Sequence, residues 1–426
     1  MLIQMPFGPD TLQAEIDWAT PLGSLDIAAV EGVADVAAAA VRAMAEPIGA
    51  CAPLREVVKA GERVVIVVSD SFRTTRMELV LPTLLDTLAT LGVREEDISF
   101  LFSTGTHRGP TPEEAAKILG VEIYERFSTR AVTHDAFDAE NLVDLGVTSR
   151  GTPVKINRRA LEADRLIVTG TVVMHYFGGF GGGRKSIVPG IAGVDTIAAN
   201  HSKNLHPSEN ALDPAVRIGV LEGNPVAEDM LEAARKVKCD YLINTVLNRD
   251  NQIAGIFGGE LEAAHRTACK AALGLYAAPF TEQADLVVAS AGSAKNYLQS
   301  HKALFNAYQA VKPGGRIIFC ARAPEGLGGN KLATWLALGS REAIIAELRR
   351  NAEINGQTAL STIEKARITD FVTELSAEDV ATLGGRKAES LVEALENARQ
   401  DLAAQGITQP TVWQMPNASY AVPMPA

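Results

Sequence analysis

Near-continuous apolar runs of strand length, alternating with stretches of helical period, constrain this chain more than any other feature. The runs are 63–69 (RVVIVVS), 98–103 (ISFLFS), 165–169 (RLIVT), 241–245 (YLINT), 285–290 (DLVVAS) and 316–320 (RIIFC). Strands hydrophobic along their whole length belong in parallel sheets covered on both faces. The segments between them, 77–91, 112–119, 261–273 and 294–311, carry the helical spacing that covers those faces. The pattern predicts an α/β fold with right-handed crossovers.

A chain of 426 residues exceeds one typical core. Two α/β domains are expected, each with a mostly parallel, Rossmann-like sheet flanked by helices, and an active site in the cleft between them. The first domain is placed at 1–275 and the second at 276–407, divided near LYAAPFT, with the tail 408–426 returning to the first. Residues 373–405 read as helical and charged.

Composition narrows the partners. A hydrophobic share of 47% with 21% charged residues fits a globular enzyme. The net charge of −11 argues against nucleic acid, and no apolar stretch has the length of a membrane span. A small anion needs only a locally basic pocket. Cys51, Cys239, Cys269 and Cys320 form no CxxC pattern, and MLIQMPFGPD has no signal-peptide pattern, so a cytoplasmic protein with free thiols is expected.

Three of the apolar runs end in reactive sequence. The first leads into Asp70 and Arg73, the second into STGTHR with His107, and the third into Gly170, His175 and a glycine run, FGGFGGGRKS. Ligands of open α/β sheets bind at the carboxyl ends of strands, so these ends are expected to carry the chemistry. The run resembles a Walker loop at Lys185-Ser186, but Arg184 stands where that loop needs glycine. His107 and His175 suit acid/base work near neutral pH. His201, after VDTIAAN, suits a metal or a cofactor. His134 reads as structural, and His265 as a solvated residue on a charged helix. Gln299 and Lys302 share a helix face, which Arg73 could complete as a carboxylate clamp.

Taken together, EPIGACAPLREVVKAGERVVIVVSD, STGTHRG, HYFGGFGGGRKSIVPG and LQSHKALFNA resemble the nickel-dependent lactate racemase family, in order and over nearly the whole chain. The resemblance implies a racemase or epimerase of 2-hydroxy acids. It implies a nickel pincer nucleotide, a pyridinium mononucleotide with two sulfur substituents, bonded to Lys185, with Asp70 nearby. Nickel would be held by His201 and by the cofactor. His107 and His175 would be the acid/base pair, and Arg73, Gln299 and Lys302 would bind a small anionic 2-hydroxy acid. Accessory cofactor-synthesis proteins would be partners. Hydride transfer avoids deprotonating a poorly acidic carbon, and the glycines would give the cofactor and the reacting carbon room against the backbone. Leu298 departs from the tyrosine usual in lactate-acting members, and SDSFRTTR lacks the proline that often follows the arginine. Tyr297 points elsewhere on a helix and does not replace it. These departures leave the identity of the hydroxy acid open. Competing readings are a histidine-metal hydrolase with zinc on His107, His175 and His201, and a non-catalytic carrier of the nucleotide.

Overall fold

The apolar runs do form strands, and parallel ones. In the computed structural model, which describes residues 1–426 apart from the side chains of Asn330 and Ile354, the chain divides into two units. One unit comprises Ala29–Pro207 and Leu212–Leu275. The other comprises Met1–Ala28, Ser208–Ala211 and Tyr276–Ala426.

The sheet of the first unit runs in the order Ile253–Gly259, Tyr241–Leu247, Arg165–Thr171, Val64–Ser69, Ile98–Ser103, Ala131–Thr133. All neighbouring pairs are parallel except the first, which is antiparallel. Every residue of Val64–Ser69 is buried, as a strand covered on both faces requires. Burying each such Val or Ile contributes about 1.5–3 kcal/mol. Leu81, Leu84, Leu85 and Leu88 recur at helical spacing on the helix Leu81–Thr90 and pack into the same core. The expected helix over 77–91 is broken, because Pro82 begins a new helix behind the short turn Met77–Leu79.

In the other unit the sheet runs Arg386–Ala388, Thr369–Val372, Val311–Cys320, Ala284–Ser290, Thr411–Met415, Thr20–Ser24, with every pair parallel. The expected domain boundaries are corrected here. The first 28 residues belong with this unit, not with residues 29–207. The tail belongs with this unit too and meets the expected first domain at its N-terminal residues, its strand Thr411–Met415 lying between Ala284–Ser290 and Thr20–Ser24. Thr411 fixes that placement, taking the Asp285 carboxylate on both its backbone N–H and its hydroxyl at 2.8 Å. Residues 373–405 are likewise not one helical region. Gly384, at φ 88°, ends the helix Ala377–Leu383, and the strand Arg386–Ala388 intervenes before the helix Leu391–Ala404. Among the described residues no helix is long and apolar enough to cross a membrane.

Candidate active site

The three strands with reactive carboxyl ends are neighbours. Val64–Ser69 lies between Arg165–Thr171 and Ile98–Ser103, parallel to both, with Ser69 opposite Ser103. Their following loops therefore leave the same edge of the sheet side by side.

Two of those loops meet directly. Asp70, buried just beyond its strand, places one carboxylate oxygen 2.7 Å from His107 Nδ1. Its other oxygen accepts the Phe72 N–H at 3.1 Å. A carboxylate can only accept, so His107 donates from Nδ1 and its neutral form carries the lone pair on Nε2. The His107 side chain is 44% exposed, open enough to meet a ligand. The Phe72 ring lies 4.8 Å from it. Arg73 is half-buried on the same loop, whose backbone is tied down where the Thr245 hydroxyl donates to the Thr75 carbonyl at 2.8 Å.

The third loop folds on itself as a small antiparallel pair, Met174–His175 with Gly179–Phe180, followed by the tight turn Gly183–Ser186. His175 is buried, and its Nδ1 accepts the N–H groups of both Phe177 and Gly178 at 3.2 Å. The glycines are required by the protein itself. At Gly183 (φ 51°) a Cβ would stand 2.4 Å from the His265 ring, and at Gly179 (φ 70°) 2.1 Å from the Val220 carbonyl oxygen. The expectation that the glycines leave room for a cofactor is corrected at these two positions, which are filled by this chain's own packing.

Lys185 is buried within the tight turn. His201 ends the helix Val194–His201 and donates from Nδ1 to the Ile197 carbonyl at 2.9 Å. Burial, and next the positive charge of Lys185, push the His201 pKa down to about 4. The imidazole is therefore neutral at pH 7 with its lone pair on Nε2. Its helix is anchored by Asn200, which donates to Asp229 at 2.8 Å within a buried network that includes Thr148 and Thr152.

Gln299 and Lys302 lie on the helix Tyr297–Gln309 of the other unit. The Gln299 amide oxygen accepts the Lys295 N–H at 3.0 Å. Tyr297 is committed to the core, its hydroxyl 3.0 Å from Thr362 Oγ1, and Leu298 is half-buried. His134 is structural, bridging the Ala192 carbonyl and the Asn157 amide.

Residues 7–212 match the family described as the lactate racemase N-terminal domain. Over 297 residues the chain is 35% identical to lactate racemase of Thermoanaerobacterium thermosaccharolyticum, a stretch covering 69% of this chain and 67% of that protein. This chain belongs to the lactate racemase family. Lactate racemase of Lactiplantibacillus plantarum is 34% identical over 333 residues, 77% of this chain and 76% of that one. The solved lactate racemase apoprotein of T. thermosaccharolyticum matches all of both chains, with a TM-score of 0.88 and 28% identity. A solved protein of Thermotoga maritima, 18% identical, covers 88% of this chain and 96% of its own with a TM-score of 0.65, and shares the fold. Membership makes the chain an enzyme of the isomerase class.

Sequence reasoning passed over several residues that shape this site. His265 is not a solvated surface group: it is buried, donates from Nε2 to the Gly181 carbonyl at 2.9 Å and lies against Arg184. Its position with Ala268, Cys269 and Ala272 on one face of the helix Leu261–Tyr276 was the available signal. Asn244 accepts the Gly183 N–H at 2.9 Å, and Asn224 donates to the Phe177 carbonyl at 2.8 Å. Both are contacts across long separations in sequence, which no local pattern announces.

Proposed function

We propose that this enzyme inverts the C2 centre of a 2-hydroxy acid, lactate or a larger relative, using a nickel pincer nucleotide bonded to Lys185. The observation that carries this reading is the pairing of His107 with the buried Asp70 carboxylate, at a strand end adjoining the one that bears His175 and the Lys185 turn.

The residues present fit such a cofactor. A metal-ligating imidazole ordinarily has its other N–H held by a carbonyl or carboxylate, and Ile197 holds the Nδ1–H of His201 in this way. The ring is neutral, and close enough to Lys185 to feel its charge. Among the described residues no three His, Cys, Asp or Glu side chains group as a metal centre. A zinc hydrolase built on His107, His175 and His201 would need such a group. When bound, the cofactor would take up the C2 hydrogen as hydride and return it.

The chain supplies the proton chemistry and the grip. His107 accepts the hydroxyl proton on Nε2, and Asp70 stabilises the imidazolium that results. His175 is the second group acting on the C2 oxygen. Arg73, Gln299 and Lys302 are the side chains whose charge and hydrogen bonding suit the substrate carboxylate. A proton given back to the C2 oxygen by the histidine pair, as C2 regains its hydrogen on the opposite face, would complete inversion. A carrier of the nucleotide would need neither histidine, nor a buried carboxylate under one of them. Accessory cofactor-synthesis proteins would supply the nucleotide.

The test is chemical. Cofactor-loaded protein is expected to contain nickel and a mass adduct on the Lys185 peptide, and Lys185→Ala to lose both together with racemisation. Full racemisation by protein lacking nickel and adduct would refute the reading.

A further inference from the structure

The turn at Phe177 and Gly178 has all four of its backbone polar groups engaged. Both N–H groups converge on His175 Nδ1 at 3.2 Å. The Phe177 carbonyl accepts from Asn224 Nδ2 at 2.8 Å, and the Gly178 carbonyl from Arg184 Nη2 at 2.6 Å. Two donors aimed at Nδ1 leave only a lone pair there, so the neutral imidazole carries its proton on Nε2. His107 has the opposite arrangement, with its proton on Nδ1 facing Asp70.

The two anchors of the turn are unusual. Arg184 is buried, and the hydrogen bonds of its guanidinium go to uncharged groups. Its partners are the carbonyls of Ala227 and Gly178 and the His265 ring. Burial pulls its pKa down to about 10. Burying a guanidinium is costly, and this one donates to a carbonyl next to His175 that also accepts the Phe180 N–H at 2.8 Å. Asn224 is fully buried and double-tasked. Its oxygen caps the helix Pro225–Arg235 by accepting the N–H groups of Val226 and Ala227, while its amide nitrogen donates to the turn.

We propose that Arg184 and Asn224 are positioning residues that hold the 177–178 turn so that its amides lock His175 as the Nε2–H tautomer, a neutral hydrogen-bond donor toward the substrate's C2 oxygen. The proposal rests on the reading of His175 as a group acting on that oxygen. In the resting enzyme His175 then starts as the donor and His107 as the acceptor, the complementary states that an acid/base pair requires.

The experiment uses the full-length chain with 15N-labelled histidine, free of cofactor and substrate, and reads tautomers from long-range 1H–15N correlations. The His175 signals are assigned by their loss in His175→Gln. Wild-type protein is expected to show Nε2–H at His175 and Nδ1–H at His107. Asn224→Asp keeps the helix cap but loses the donor, and Arg184→Lys keeps the charge but loses the fork. In both, His175 is expected to become a mixture of tautomers while His107 is unchanged. In the cofactor-loaded enzyme kcat should fall about 10- to 100-fold, with KM within about twofold of wild type. Wild-type His175 protonated on Nδ1 would overturn the proposal even if neither variant folds, as would a tautomer ratio unchanged in both variants. Should the tautomers respond as expected in a protein that racemises nothing, the functional reading fails and the positioning role stands.

Discussion

Asp70→Asn is expected to harm the enzyme more than Asp70→Ala, although asparagine is the closer match in shape. The reason lies in which carboxylate oxygen faces which donor. One oxygen accepts the Phe72 N–H at 3.1 Å, and the other meets His107 Nδ1 at 2.7 Å. In the asparagine variant the Phe72 N–H claims the amide oxygen, which leaves the amide NH2 facing His107. A donor in that place forces the lone pair onto Nδ1 and the proton onto Nε2, so the base points the wrong way. In the alanine variant the imidazole merely loses its partner. A hydrogen bond to a charged group contributes about 1.5–3 kcal/mol, so Asp70→Ala should lower kcat about 10- to 160-fold. A reversed tautomer in a histidine–carboxylate pair costs up to roughly 10⁴-fold, and Asp70→Asn should approach that figure. The assay is racemisation of an enantiopure 2-hydroxy acid by cofactor-loaded enzyme, followed by polarimetry, with nickel content measured for each variant. Asp70→Asn as active as wild type, or clearly more active than Asp70→Ala at equal nickel loading, would refute the reasoning.

Stability should fall on mild acidification. Burial holds the pKa of His265 down to about 3 and those of His201 and His301 to about 4. Each folded value is below the ordinary ~6.5, so the unfolded chain binds protons first and stability is lost as pH falls from about 6.5 toward 4. At pH 5 the loss is about 2 kcal/mol per histidine, and a urea midpoint unchanged between pH 7 and pH 5 would contradict it. Gly183→Ala should destabilise by more than about 2 kcal/mol, because its Cβ meets the His265 ring and φ is 51°. Gly223→Ala, at φ 73° with nothing within 4 Å, carries only the backbone penalty of about 1–2 kcal/mol. Equal urea midpoints for the two variants would show that packing against His265 is not the cause.

The sheet of the first unit was legible because its strands are apolar on both faces. VVIVVS has no other good place than a central parallel strand. The polar ends of three such strands then located the site, since adjacent parallel strands put their carboxyl ends together. What escaped was set by contacts distant in sequence. The strands Thr20–Ser24 and Thr411–Met415 are almost 400 residues apart, yet they pair with each other. TPLGS is largely exposed and has no hydrophobic alternation to betray it. His265 was misread because the charges of Arg266 and Glu262 drew attention from the small residues sharing its face. Arg184 was noticed only for spoiling a Walker loop, and its hold on the Gly178 carbonyl depends on a fold of the glycine run that composition does not specify. Asn224 before Pro225 is a recognisable helix cap, but the second use of its amide is not.

The central claim is inversion at C2 by transfer of hydrogen as hydride. It is tested most directly by supplying enantiopure lactate, and a panel of larger 2-hydroxy acids, to the cofactor-loaded enzyme in deuterium oxide, with optical rotation and C2 deuterium content followed together. The account predicts loss of optical rotation for at least one acid while C2 keeps its original hydrogen. Inversion with deuterium entering C2 in step would contradict it, as would no inversion of any acid by protein carrying nickel and the Lys185 adduct.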